Sequence, residues 1–208
     1  MSTTVKLNYI NRSNDVNNSQ IVIFQKNIAP SFDELAVAWK VIKNCGQGDN
    51  HPFTFPHSFS VGASDSWGNY TPKFSAEYGQ QWEMIKDQSG DILKLSSAPH
   101  VSIKEVAIAN NLTQGAINAG VYKDGSLLAT KTNIVPGQKS VFEFKPTIWI
   151  GIVSQIEEGE VLNSAIISQI NTEISLLGIS SADIVMTGGG SGAEAKPFSF
   201  ALENVVVA

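Results

Sequence analysis

Apolar and polar residues alternate with a period of two along most of the chain, the pattern of strands with one face buried and the other in water. Val5, Leu7 and Tyr9 share one parity, and Ile21-Val-Ile-Phe24 follows after an Asn- and Ser-rich stretch at 11–19. These two runs predict an N-terminal hairpin with a polar loop. Val101 and Ile103 are in phase with each other, while Val106 and Ile108 have moved to the other parity, which predicts a single strand carrying a β-bulge. The sharpest local signal is Asp124-Gly125 between strand-like arms at 119–123 and 126–130, because Asp-Gly supplies the positive φ of a type I′ hairpin turn. Val135-Pro-Gly-Gln138 reads as a type II turn leading into Val141-Phe-Glu-Phe144 and, past Pro146, into a strand at 148–153. Asp87-Gln-Ser-Gly90-Asp91 reads as a turn between strands ending near Ile85 and starting at Ile92.

Residues 31–42 fit two periods. Ser31 with Glu34 makes a capping-box pattern, and Leu35, Ala38, Trp39 and Ile42 would line a helical face. Leu35, Val37, Trp39 and Val41 also alternate, so the expectation is a single helical turn at 31–34 running into a strand. No period of about 20 to 50 residues repeats, so a solenoid or propeller is not supported. The expected fold is all-β, an antiparallel β-sandwich with Greek-key or jelly-roll connections and at most one short helix, in one domain spanning 1–208.

The stretch 187–194, Thr-Gly-Gly-Gly-Ser-Gly-Ala-Glu, has the composition of a flexible tether. Strand material follows at 198–207, with Phe198, Phe200 and Leu202 on one parity. A tethered strand either closes its own sheet or reaches a neighbour's edge, so these three residues are the candidate assembly surface.

Composition narrows the partners. Among 208 residues, 14 Lys and Arg face 19 Asp and Glu, and Arg12 is the only arginine. An acidic chain almost without bidentate phosphate grips is a poor nucleic-acid binder. Only 16% of residues are charged, so few Lys and Glu remain to guard strand edges, and a homo-oligomer is expected. Cys45 stands alone and makes no intramolecular disulfide. The first residues lack a basic and then apolar signal pattern, and the longest apolar run, at 148–153, is far short of a membrane span. A soluble cytoplasmic protein without a membrane span is expected, with non-classical export as the alternative.

Catalytic signatures are absent: no Gly-x-Ser-x-Gly elbow, no Walker loop, no His-Glu-x-x-His. Cys45, His51, His57 and His100 have none of the tight spacings of a metal site, so no metal and no cofactor are expected. Asp87 and Asp91 could hold a hard cation through oxygen ligands, but a turn accounts for the same residues. The densest constellation is Asp65-Ser-Trp67-Gly-Asn69-Tyr70. Sugar sites use this mixture, because an aromatic face stacks on the C–H side of a pyranose while carboxylate and amide hydrogen-bond its hydroxyls. The competing reading makes Trp67 and Trp82 core anchors and the polar residues a turn.

Asn17-Asn-Ser19 before Ile21-Val-Ile-Phe24-Gln25, then Leu35-Ala-Val-Ala38-Trp39, then Pro56-His-Ser58-Phe59-Ser-Val61, resembles the order of motifs in the rhizosphere-induced protein family. Ile148-Trp149-Ile-Gly151 and Gly159-Glu-Val-Leu162 are similar to later elements of that family. The chain departs from it at Ala36-Val-Ala38-Trp39, where a compact Leu-Ala-Trp is expected, and in its Gly-rich tail. The resemblance implies a β-rich protein without established enzymatic activity and assigns no functional residues.

The leading expectation is therefore a non-enzymatic structural or interaction protein that self-assembles through strand edges or C-terminal strand exchange. The alternative is a lectin-like module that binds carbohydrate with Asp65, Trp67, Asn69 and Tyr70. Exposure of Trp67 in a groove favours the second; burial between sheets favours the first.

Overall fold

Strand β1 (Thr4–Asn11) shows how alternation becomes structure: Val5, Leu7, Tyr9 and Asn11 are buried, while the residues between them are exposed or half-exposed. The computed structural model describes residues 4–29, 35–97 and 102–208. It is all-β, a sandwich architecture of mostly antiparallel sheets with one short α-helix among the described residues. The strands gather into two compact units, each made of two sheets, where the sequence pointed to one domain. Unit 1 is drawn from Met1–Phe24, Ala38–His57 and Pro146–Ala208; unit 2 is drawn from Gln25–Val37 and Ser58–Lys145.

In unit 1, one sheet has the order β17 (Lys196–Val207), β16 (Ile179–Gly189), β1, β5 (Asn50–Pro56). The other runs β15 (Thr172–Ser175), β14 (Thr147–Val153), β2 (Gln20–Phe24), β4 (Lys40–Ile42). β1 lies parallel to β16, with Lys6 opposite Ser181 and Asn11 opposite Met186. Trp39 is buried and meets Phe53 and Phe55 edge-on at 6.4 and 5.6 Å, the geometry that aromatic quadrupoles favour. Helix α1 (Ser164–Gln169) is capped by the Asn163 side chain, which accepts the Ile166 N–H.

In unit 2, one sheet has the order β13 (Lys139–Phe142), β10 (Val106–Asn110), β8 (Gln81–Asp87), β9 (Gly90–Leu95). The other runs β3 (Leu35–Ala36), β12 (Ser126–Ile134), β11 (Ile117–Lys123), β6 (Phe59–Asp65), β7 (Phe74–Ala76). β11 and β12 form the expected hairpin, with Asp124 and Gly125 at φ 50° and 78°. The turn at 135–138 also forms, its Gln138 N–H bonded to the Val135 carbonyl at 3.0 Å.

Three expectations are corrected. β1 and β2 are not a hairpin; they lie in different sheets, because both edges of β1 are taken by β5 and β16. The bulged strand through Ile103 is not one strand: residues 102–105 form a turn, closed by the Glu105 N–H on the Ser102 carbonyl, and Ile103 is exposed. The Gly-rich stretch at 187–194 is not a tether. Thr187 to Gly189 belong to β16, and the remainder turns the chain into β17, which pairs antiparallel with β16 along its length. The helical turn expected at 31–34 lies outside the described residues.

Candidate functional site

The four candidate sugar-binding residues sit at the end of β6 (Asp65) and on the loop that joins it to β7 (Trp67, Asn69, Tyr70), and the shape of that loop follows from Asp65. One carboxylate oxygen, Oδ1, accepts the Trp67 and Asn69 backbone N–H groups at 2.8 and 2.9 Å, and the other, Oδ2, accepts the Asn69 side-chain amide at 2.7 Å. Gly68 takes φ +86°, a left-handed conformation that favours glycine. The Asp65 N–H closes the loop on the Asn69 carbonyl at 3.0 Å. These bonds to the ionised form, the Asn69 amide first, hold the Asp65 carboxyl below the usual carboxylate range.

With its stem tied this way, the loop displays its aromatics. Trp67 is 88% exposed and Tyr70 is 76% exposed, whereas Trp82 is buried and stacks on Phe74 at 5.3 Å. The reading of Trp67 as a core anchor is therefore wrong, and that of Trp82 is right. A side chain as large and apolar as Trp is seldom left this exposed without a partner.

Two clefts flank the loop and share Asp65, Lys86 and Asp91. The first, about 360 Å³, runs from Ser66 and Trp67 to Thr113 and Gln114 over a floor that includes buried Leu112. The second, about 620 Å³, runs from Asn69 and Tyr70 to the β8–β9 hairpin over Met84 and Leu93. The walls combine an ammonium, carboxylates, an amide and a hydroxyl with exposed rings and an apolar floor, the mixture by which a concave site orients a polar ligand.

The structure reassigns roles within the sequence-derived set. Trp67 and Tyr70 present surface to the clefts, while Asp65 and Asn69 spend hydrogen-bonding capacity on each other and on the loop. Lys86, Thr113 and Gln114 on the facing wall went unrecognised, because nothing in their local sequence distinguishes them from solvated turn residues. Asp91, weighed as a cation ligand with Asp87, lines the clefts instead. Asp87 caps its own turn, accepting the Ser89 N–H and hydroxyl at 2.7 Å each. Among the described residues, no three His, Cys, Asp or Glu side chains come together in a way that could hold a metal ion. No helix among them is long and apolar enough to cross a membrane.

The candidate assembly residues Phe198, Phe200 and Leu202 lie on β17, an edge strand. All three are half-exposed or exposed, as are the flanking Val205, Val206 and Val207.

Comparison with known proteins returns no family model, no curated protein and no solved structure that matches the chain.

Proposed function

We propose that this chain is a carbohydrate-binding protein whose ligand is taken at the β6–β7 loop of unit 2. The observation that carries the reading is Trp67, 88% exposed at the rim of a polar cleft with Tyr70 on the same loop. In this reading Trp67 and Tyr70 stack on the C–H faces of two sugar units, and Lys86, Asp91 and Gln114 bond hydroxyls from the opposite wall. The test is a glycan array followed by calorimetric titration of the best hit with wild type and Trp67→Ala. Saturable binding to a restricted set of glycans, weakened at least tenfold in the variant, is expected. A blank array, or full binding by Trp67→Ala, sinks the reading.

A second reading is favoured by β17. It is a 12-residue edge strand with apolar side chains exposed along its length and only Lys196 and Glu203 as charges. Long apolar edges are templates for pairing with another chain. The reading is self-association, with a second copy adding its own β17 to this edge. Sedimentation of wild type against Val206→Lys tests it: a concentration-dependent dimer lost in the variant supports it, and a monomer at every concentration removes it.

A further inference from the structure

Each unit follows one plan. The sheet β17-β16-β1-β5 of unit 1 matches β9-β8-β10-β13 of unit 2: an edge strand hairpinned to a second, a third parallel to the second, and a fourth antiparallel to the third. The remaining sheets, β15-β14-β2-β4 and β7-β6-β11-β12, match as well, with β3 an addition to the latter. In chain order, β1, β2, β4, β5 and β6 to β9 therefore correspond to β10 to β17.

The correspondence extends to atoms. Asn11 and Asn110 end β1 and β10. The side-chain amide of each donates to a backbone carbonyl at 2.8 Å, Cys45 for one and Ile134 for the other. The side-chain oxygen of each accepts the backbone N–H two residues on, from Ser13 and from Leu112. The backbone N–H of Asn11 meets the Asp49 carbonyl, and that of Asn110 meets the Gln138 carbonyl. The carbonyls of the two asparagines accept from Gly48 and Gly137, both at positive φ. Arg12 N–H bonds the Met186 carbonyl as Asn111 N–H bonds that of Met84, both at 2.9 Å. Gly48, Phe53 and Phe55 match Gly137, Phe142 and Phe144 at one constant spacing in the sequence.

We infer that the chain is a tandem duplication whose two repeats have exchanged their C-terminal halves. Unit 1 combines the first half of repeat one (β1, β2, β4, β5) with the second half of repeat two (β14 to β17). Unit 2 combines the first half of repeat two (β10 to β13) with the second half of repeat one (β6 to β9). Each first half is thus a docking surface whose fitting partner is a β6–β9-type segment from another copy of the repeat. The links on which the exchange turns are short. β5 ends at Pro56 and β6 begins at Phe59; β13 ends at Phe142 and β14 begins at Thr147. Short hinges are the condition under which a segment is carried onward to a neighbouring host rather than folded back. The inference is independent of the carbohydrate reading.

The test uses the full chain with a protease site inserted after Ser97, between the repeats, and the uncut insertion variant as the folding control. After cleavage, each unit still contains strands from both fragments. The expected result is one species in native buffer, with the mass of the intact chain and both fragments in equal amounts, that separates only in denaturant. Fragments that part in native buffer would show repeats closing on themselves and overturn the inference.

Discussion

The Asn11 and Asn110 side chains make the same pair of bonds in different units: an amide to a backbone carbonyl 2.8 Å away, and an oxygen to the backbone N–H two residues on. Both residues are buried. Truncation to alanine leaves a buried N–H and a carbonyl, half-buried at Cys45 and buried at Ile134, without these partners, each worth up to about 1–3 kcal/mol. Asn11→Ala and Asn110→Ala are expected to lower stability by about 2–4 kcal/mol each, read as a lower urea midpoint at unchanged slope. A loss under about 1 kcal/mol in either variant contradicts the assigned role.

Two glycines report whether 187–194 is a closed hairpin turn or a tether. A Cβ on Gly188 would stand 2.1 Å from the Pro197 carbonyl oxygen at φ +94°, while one on Gly192 would meet nothing within 4 Å at φ +67°. Gly192→Ala incurs only the left-handed backbone cost, about 1 kcal/mol. Gly188→Ala incurs that and a clash with β17, and is expected to lower the melting temperature several degrees further. Equal, small shifts in the two variants would mean that the pairing of β16 with β17 is not maintained in solution.

Lys123 is buried in unit 2, and desolvation pushes its pKa from 10.5 down to about 8. Below pH 8 the folded chain keeps the ammonium in its desolvated site. Between about pH 8 and 10.5 the unfolded chain holds a proton that the folded chain has released, so stability from this group rises with pH. Wild type is expected to gain about 2 kcal/mol of stability relative to Lys123→Met between pH 7 and 9.5, whatever the gap at pH 7. A pH-independent gap removes the cause named.

Asp65 shifts the same way for the opposite reason, because here the charged form is the favoured one. The hydrogen bonds to its ionised form hold its folded pKa below 3.8, so its contribution to the loop is complete above the ordinary carboxylate range and is lost as pH falls through the depressed value. Trp67 fluorescence anisotropy is expected to stay constant down to that range and drop only below it. Asp65→Asn should show a mobile Trp67 at every pH, with little change in global stability. An identical anisotropy profile in the variant would mean that Asp65 does not order the loop.

The legible parts of the fold were those decided within a few residues. Asp124-Gly125 and Val135-Pro-Gly-Gln138 carry their backbone geometry in their own side chains, and both turns stand where they were expected. Asp65-Ser-Trp67-Gly-Asn69-Tyr70 was legible as a candidate site. Whether Trp67 faced the core or water depended on how the Asp65 carboxylate pins the loop and on clefts built partly from 112–116, which no local pattern links to it. Pairings distant in sequence were invisible: Asn8 meets Asp183 across 175 positions, and no alternation indicates that β1 lies parallel to β16. The duplication was hidden because only a few residues, such as Asn11 with Asn110 and Gly48 with Gly137, survive, and at two different spacings, both far longer than common solenoid repeats. Ile103 misled the strand assignment because it is an apolar side chain in a solvent-facing turn.

The make-up of unit 1 sets an order of assembly during synthesis. Residues 1–24 and 38–57 leave the ribosome well before 146–208, yet their sheets are completed by strands that begin at Thr147 and end at Val207. Unit 2 is whole once Lys145 has emerged. The middle of the chain can therefore fold while β1 and β2, the latter carrying the apolar Ile21–Phe24, can pair only with β5 and β4 and keep their other edges open until β16 and β14 are made. That waiting interval, with strand edges open, is when the nascent protein is most prone to aggregate, and a slowed ribosome or a truncated message would prolong it.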